Sequence, residues 1–289
     1  MATAEVGALS DKNEKKEPDS EEGSMTLWEH LEELRGRIVR MLVAFLVGAI
    51  ACWIYREELL VWVTLPYQEA YRAGGHKGLP ELHSGTPGAA FFAYIHLSVL
   101  AGFLFALPIV LYQLWAFVAP GLYSREKKFT LPFVVSSCLL FIGGGYFGWK
   151  FAFPKAFAFL LQFNKELPGM SLKDTWMIGD YLDFCTRLLL AFGATAELPV
   201  LASFLAVAGL VTHHQLIKFF RYFVVVAFVI AAIITPPDPM SQVMMAVPLI
   251  GLYGISILVV WGITKGRERR AAKADKADTE KADKADKGV

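Results

Sequence analysis

The chain has 289 residues, 55% of them hydrophobic, with 28 basic and 27 acidic side chains and a formal net charge of +1. The charges are uneven: residues 1–24 hold 10 and residues 265–289 hold 15, which leaves 30 for the 240 residues between them, half the density of about one in four seen in soluble domains. That middle is too apolar to clothe a soluble globule, and the same arithmetic excludes a disordered chain, a disulfide scaffold and a strongly basic nucleic-acid binder.

Residues 1–24 form a polar, low-complexity tail that cannot bury enough apolar surface to order itself. No apolar stretch with a small-residue cleavage site follows a basic start, so the segment does not read as a secretory signal. Next, Thr26 and Glu29 fit a capping box, Leu27, Leu31, Leu34 and Ile38 share one helical stripe, and Glu33 and Arg37 form an i,i+4 pair. This segment reads either as an interfacial helix with solvated charges or as an acidic recognition point at the membrane surface.

Spans of about 20 apolar residues follow. The first covers 38–55. A long second helix over 87–118 starts at Thr86-Pro87, stops at Pro120-Gly121 and is bent by Pro108. The third covers 129–163, with Pro132 in its first turn and Lys150 and Pro154 at its exit. The fourth covers 181–210 and contains Glu197. The fifth, 219–234, is short and ends at Thr235-Pro236-Pro237. Its 16 residues rise about 24 Å, less than the roughly 30 Å hydrocarbon core, unless 213–218 extend it. The sixth covers 240–263, with Pro248 inside. Residues 265–289 alternate charge and read as a solvated tail with partial helicity. Period-two alternation is missing, which argues against a transmembrane β-barrel.

Six spans put both ends on one side. Arg35, Arg37 and Arg40, then Arg125, Lys127 and Lys128, then Lys218 and Arg221, then Lys265, Arg267, Arg269 and Arg270 mark alternate connections. The positive-inside rule therefore puts both termini in the cytoplasm. Loops 56–86 and 164–180 face outward, the first with a short helix over 57–72.

Three further features stand out. Glu126 sits among Arg125, Lys127 and Lys128, where topology does not require an acid; it is either a local ion pair or a carboxylate offered to a cationic ligand, with Arg the best-matched fork. Glu197 lies near the middle of a span, where an ionised group costs about 3 kcal/mol. It is either a protonated group bonded to a neighbouring helix or a functional one, with Gln113 and Gln242 as candidate partners. Asp238, in Thr235-Pro236-Pro237-Asp238-Pro239, caps the sixth helix or contacts a ligand. Cys52, Cys138 and Cys185 read as small hydrophobes, without zinc or redox spacing. The His213-His214 pair reads as a surface feature. Metalloprotease, nucleophile-elbow and P-loop motifs are missing, so the chain reads as neither an enzyme nor a cofactor protein. An ion pathway would need further ionisable residues in the spans, where only Glu197 and, at an edge, Arg187 are read.

Six stretches carry a family resemblance: H-L-E-E-L-R-G-R at 30–37, L-P-I-V-L-Y-Q-L-W-A-F-V-A-P-G-L-Y-S-R-E-K-K at 107–128, L-P-F-V-V-S-S at 131–137, F-P-K-A-F at 153–157, A-F-G-A-T-A-E-L-P-V at 191–200 and T-P-P-D-P-M-S-Q at 235–242. Over residues 25–264 the chain resembles the TatC family of twin-arginine translocase subunits. The resemblance implies an all-α integral membrane protein of six helices in a concave, glove-like bundle in the bacterial inner membrane, flanked by tails 1–24 and 265–289. It implies a receptor for twin-arginine signal peptides on folded cargo. Its partners would be TatA- and TatB-type single-span subunits and other copies of itself, with transport driven by the proton-motive force. The family's acidic signal contacts fall on Glu33 and Glu126, with His30, Arg35, Arg37 and Phe117 in the same cytoplasmic patch. Glu197 and Gln242 fall on its intramembrane polar contacts, and Pro66 and Asp238 on functionally sensitive outward-facing turn positions.

Overall fold

The computed structural model describes residues 27–76, 78–122, 130–163, 165–167, 170–172, 175–235 and 239–286. In chain order these form α1 (Leu27–Ile54), α2 (Arg56–Ala73), α3 (Ala89–Leu122), α4 (Thr130–Phe147), a π-helical turn (Gly148–Ala152), α5 (Phe153–Leu161), β1 (Lys165–Leu167), β2 (Met170–Leu172), α6 (Ile178–Ala196), α7 (Leu198–Val207), α8 (His213–Ile234) and α9 (Pro239–Asp286). The two strands pair as one antiparallel hairpin, Glu166 opposite Ser171. Six helical segments are long and apolar enough to cross a membrane: 31–54, 89–117, 131–161, 178–207, 213–234 and 242–269. The fold is therefore that of an all-α, multi-pass membrane protein.

Helix association in lipid has little hydrophobic driving force, so close backbone approach and interhelical hydrogen bonds decide which spans adjoin. Helix α1 shows this most clearly, because only 6% of its most apolar window is buried. Its antiparallel seam with α3 has three points. At one end, Trp53 meets Phe91 edge-on, ring centroids 5.8 Å apart. At the centre, a Cβ on Gly48 would stand 2.7 Å from the Gly102 carbonyl oxygen, and one on Gly102 would stand 2.4 Å from the Ala49 backbone. At the other end, Arg37 Nη1 donates to Gln113 Oε1 at 3.2 Å. A second antiparallel seam joins α4 to α6, where a Cβ on Gly144 would stand 2.4 Å from Ala196 Cβ. Helices α8 and α9 form a third pair: Tyr253 stacks on Phe223 at 4.1 Å, its hydroxyl donates to the Leu216 carbonyl, and Gln242 Nε2 donates to the Phe228 carbonyl at 3.0 Å.

A cap lies over one end of the bundle. Helix α2 buries Val63, Pro66, Tyr67 and Ala70 against an aromatic cluster in which Tyr67, Phe157 and Tyr181 lie within 5.2–5.7 Å of one another. The Tyr181 hydroxyl donates to the Val63 carbonyl. His83 exchanges backbone hydrogen bonds with Trp176 and Ile178 at 2.9 Å, tying the long α2–α3 connection to the start of α6.

Several sequence expectations need revision. Pro66 does not sit in a turn; it lies inside α2, fully buried, where its ring fills core space and the missing N–H is lost at one helical bond only. Of the two readings of the fifth span, the longer holds: α8 begins at His213 and has 22 residues, a rise of about 33 Å. A capping box starts it: Thr212 N donates to Gln215 Oε1 at 2.9 Å. The fourth span is not continuous, because Glu197 separates α6 from α7. Helix α9 runs unbroken through the charged segment to Asp286, and Arg267 on it donates to the Ala206 and Val207 carbonyls at the end of α7. The capping box expected at Thr26 and the cap expected at Asp238 lie outside the described residues.

The seam gives two expected outcomes. Gly102→Val should lower unfolding stability in detergent by about 1–3 kcal/mol through overpacking, while Gly251→Val, whose added atoms meet open space, should change it by less than about 0.5 kcal/mol. A double-mutant cycle of Arg37→Ala with Gln113→Ala should report a favourable coupling of about 0.6 kcal/mol, with an upper value near 1.7 kcal/mol for interhelical bonds in membrane proteins.

Candidate functional site

Near the start of the first span, α1 presents Glu33 and Arg37 on one face, four residues apart. Arg37 Nε and Nη2 both donate to Glu33 Oε1, at 3.1 and 2.5 Å. The arginine is 14% exposed and the glutamate 32%. The guanidinium is thus shared between a carboxylate on its own helix and the buried Gln113 on α3. This fixes Glu33 against the bundle while leaving Oε2 without a hydrogen-bond or ion-pair partner among the described residues. Glu32, Glu33, Gly36, Arg37 and Arg40 line an open cleft of about 450 Å³ at this point. A carboxylate locked on one oxygen and open on the other suits a planar, multidentate cation such as a guanidinium.

The other expected contacts fall around this cleft unevenly. His30 lies in the first turn of α1. Arg35 is exposed and, two residues from Glu33 and Arg37, projects from the far side of the helix. Phe117, half-buried, lies one turn beyond Gln113 on the same face of α3. Glu126 and Asp238 lie outside the described residues.

Glu197 forms a second polar centre. It caps both α6 and α7: its N–H reaches the Ala194 carbonyl at 3.2 Å, and its own carbonyl accepts from Leu201 N at 2.9 Å. Pro199 in the first turn of α7 requires no partner for its nitrogen. The side chain faces Ser137 on α4, and Ser137 Oγ accepts from Trp115 Nε1 on α3 at 2.8 Å, both residues being buried. Trp115 in turn packs on Phe133 and Phe204. Glu197 Oε1 is buried without a hydrogen-bond partner. The expected pairing of Glu197 with Gln113 or Gln242 is not what the structure shows: Gln113 holds Arg37, and Gln242 holds the Phe228 carbonyl. Both amides are drawn to the nearest acceptor or donor across their own helix pair.

The spans also contain more ionisable groups than the sequence reading counted. His96 on α3 bridges to α6, with Nε2 3.0 Å from Thr186 Oγ1 and Nδ1 3.4 Å from Asp183 Oδ1. A spacing signal existed, since Asp183 and Arg187 are i,i+4 on one helix. The cross-helix partner His96 has no sequence mark. Among the described residues no cluster of His, Cys, Asp and Glu could hold a metal ion.

Comparison with known proteins agrees with this architecture. Residues 29–248 match the family model described as Sec-independent protein translocase protein (TatC). The chain is 40% identical over 245 residues to the Sec-independent protein translocase protein TatC of Desulforapulum autotrophicum, covering 82% of this chain and 85% of that one. It is 38% identical over 237 residues to the TatC of Aquifex aeolicus, covering 81% and 94%. Among solved structures, it superposes on the crystal structure of the twin arginine translocase receptor TatC with a TM-score of 0.69 and 36% identity, covering 80% of this chain and 97% of that chain. For the same receptor in the detergent DDM the TM-score is 0.71, with 99% of that chain covered. A match over most of the chain in sequence and in helix arrangement establishes that the chain belongs to the TatC family of Sec-independent protein translocase proteins.

Proposed function

We propose that this protein is the receptor subunit of a twin-arginine export system, which recognises twin-arginine signal peptides and organises partner subunits to move folded proteins across the bacterial inner membrane. The observation that carries this reading is the half-exposed Glu33, anchored through Oε1 by Arg37 and open at Oε2 beside the polar cleft. The signal's arginine pair docks there and on Glu126 by charge-assisted hydrogen bonds. His30 and Phe117 belong to the same patch, with Arg35 on the outer side of the helix.

Both termini lie in the cytoplasm, supported by the basic residues at the same end of alternate spans. The segments 1–24 and 265–289 are cytoplasmic tails around the six-span domain 25–264. The apolar part of the signal lies along the bundle, and TatA- and TatB-type single-span subunits join through polar contacts in the membrane. Glu197, half-buried at the break between α6 and α7, is the carboxylate that serves such a contact. Gln242 at the start of the sixth span and Asp238 in the preceding turn flank a second contact region. Transport draws on the proton-motive force. The protein itself is not an enzyme and needs no cofactor.

Glu126→Ala, in stably inserted protein, should weaken photocrosslinking to a twin-arginine signal and lower export of a folded twin-arginine reporter; unchanged crosslinking and export would remove Glu126 from the site. Deleting the gene should trap that reporter in the cytoplasm. Continued export would reject the receptor role itself.

A further inference from the structure

A cavity of about 350 Å³ opens at the level of the α8–α9 turn, between the π-helical turn, α5, α6 and the start of α9. Phe147, Phe151, Leu188, Phe192, Val247 and Pro248 form most of its wall. Two backbone irregularities shape it. The π-helical turn Gly148–Ala152 is wider than an α-turn, and Pro248 bends α9 while withholding an N–H from the preceding turn.

Its polar endowment is small and one-sided. The Thr235 hydroxyl is already committed to the Ala231 carbonyl at 2.9 Å. Lys155 is exposed and makes no ion pair among the described residues, whereas Lys150, five residues earlier, is 3.4 Å from Glu69. Among the described residues, the site therefore offers an apolar chamber with one cation, Lys155, that makes no ion pair, at its edge. Polarity separates the possible occupants. A non-helical peptide would bring backbone groups that this wall cannot satisfy. A lipid tail is thin and has no polar groups to desolvate.

We infer that this cavity is a lipid site: an acyl chain of an anionic phospholipid enters between α5 and α9, and its phosphate rests on Lys155. The chain gains apolar contact, and the head supplies the missing counter-charge. The site is independent of the Glu33 cleft, from which it is separated along the bundle, and it does not rest on the receptor reading.

The test uses the full chain, purified and delipidated, with phosphatidylglycerol and phosphatidylcholine of identical tails as probes and native mass spectrometry as the readout. Wild-type protein should retain one lipid, with phosphatidylglycerol favoured about fivefold, the value of one basic residue near an anionic head. Lys155→Gln should bind both lipids equally, at the phosphatidylcholine level. Ala152→Phe, which fills the chamber, should abolish retention of both. Equal retention of the two lipids by wild type, or an undiminished preference in the exposed-site variant Lys155→Gln, overturns the inference. A photocrosslinker at Val247 that captures protein rather than lipid in native membranes also overturns it, in favour of a peptide occupant.

Discussion

The arrangement depends on how α1 is held to α3. The rest of the bundle buries little of α1, so burial of apolar surface within the chain does not position it. What does is a seam of three different contacts: an aromatic edge at Trp53 and Phe91, a backbone approach at Gly48 and Gly102 that admits no side chain, and the Arg37–Gln113 hydrogen bond. The last also serves the site. Arg37 divides its donors between Gln113 and Glu33, so one guanidinium registers the helix pair and aims the carboxylate.

Glu197 follows the same logic from the opposite side. Trp115 Nε1 donates to Ser137 Oγ across α3 and α4, and the fourth span breaks at Glu197, the carboxylate nearest its middle. Pro199 needs no partner for its nitrogen, and Leu201 N donates to the Glu197 carbonyl. The carboxylate oxygen Oε1 is buried without a hydrogen-bond partner. The two polar centres therefore differ: Glu33 has one oxygen tied and the other open at a surface cleft, whereas Glu197 holds a bare oxygen inside the membrane.

Much of this was legible in the sequence. Six apolar runs, their order, the short helix α2 and the Glu33–Arg37 pair all follow from local periodicity and spacing. Contacts across the bundle do not. Gln113 and Gln242 are plainly polar residues in spans, but nothing local says that one faces Arg37 and the other the Phe228 carbonyl. His96 likewise acquires meaning only when α6 brings Thr186 and Asp183 beside it. The length of α8 stayed open in the sequence, and the Thr212–Gln215 capping box decides it by making 213–218 the first turns of the helix. Pro66 was placed at a turn only by the family resemblance, while the short helix read over 57–72 already contained it.

Recognition of an arginine pair by a carboxylate held at this seam is tested most directly by equilibrium binding. The purified protein in lipid nanodiscs would be titrated with a signal peptide bearing Arg-Arg and with the same peptide bearing Lys-Lys. The Arg-Arg peptide should bind more tightly to wild-type protein, and Glu33→Gln together with Glu126→Gln should remove that preference. Equal affinity for the two peptides in wild type, or a preference that survives both substitutions, would contradict the account.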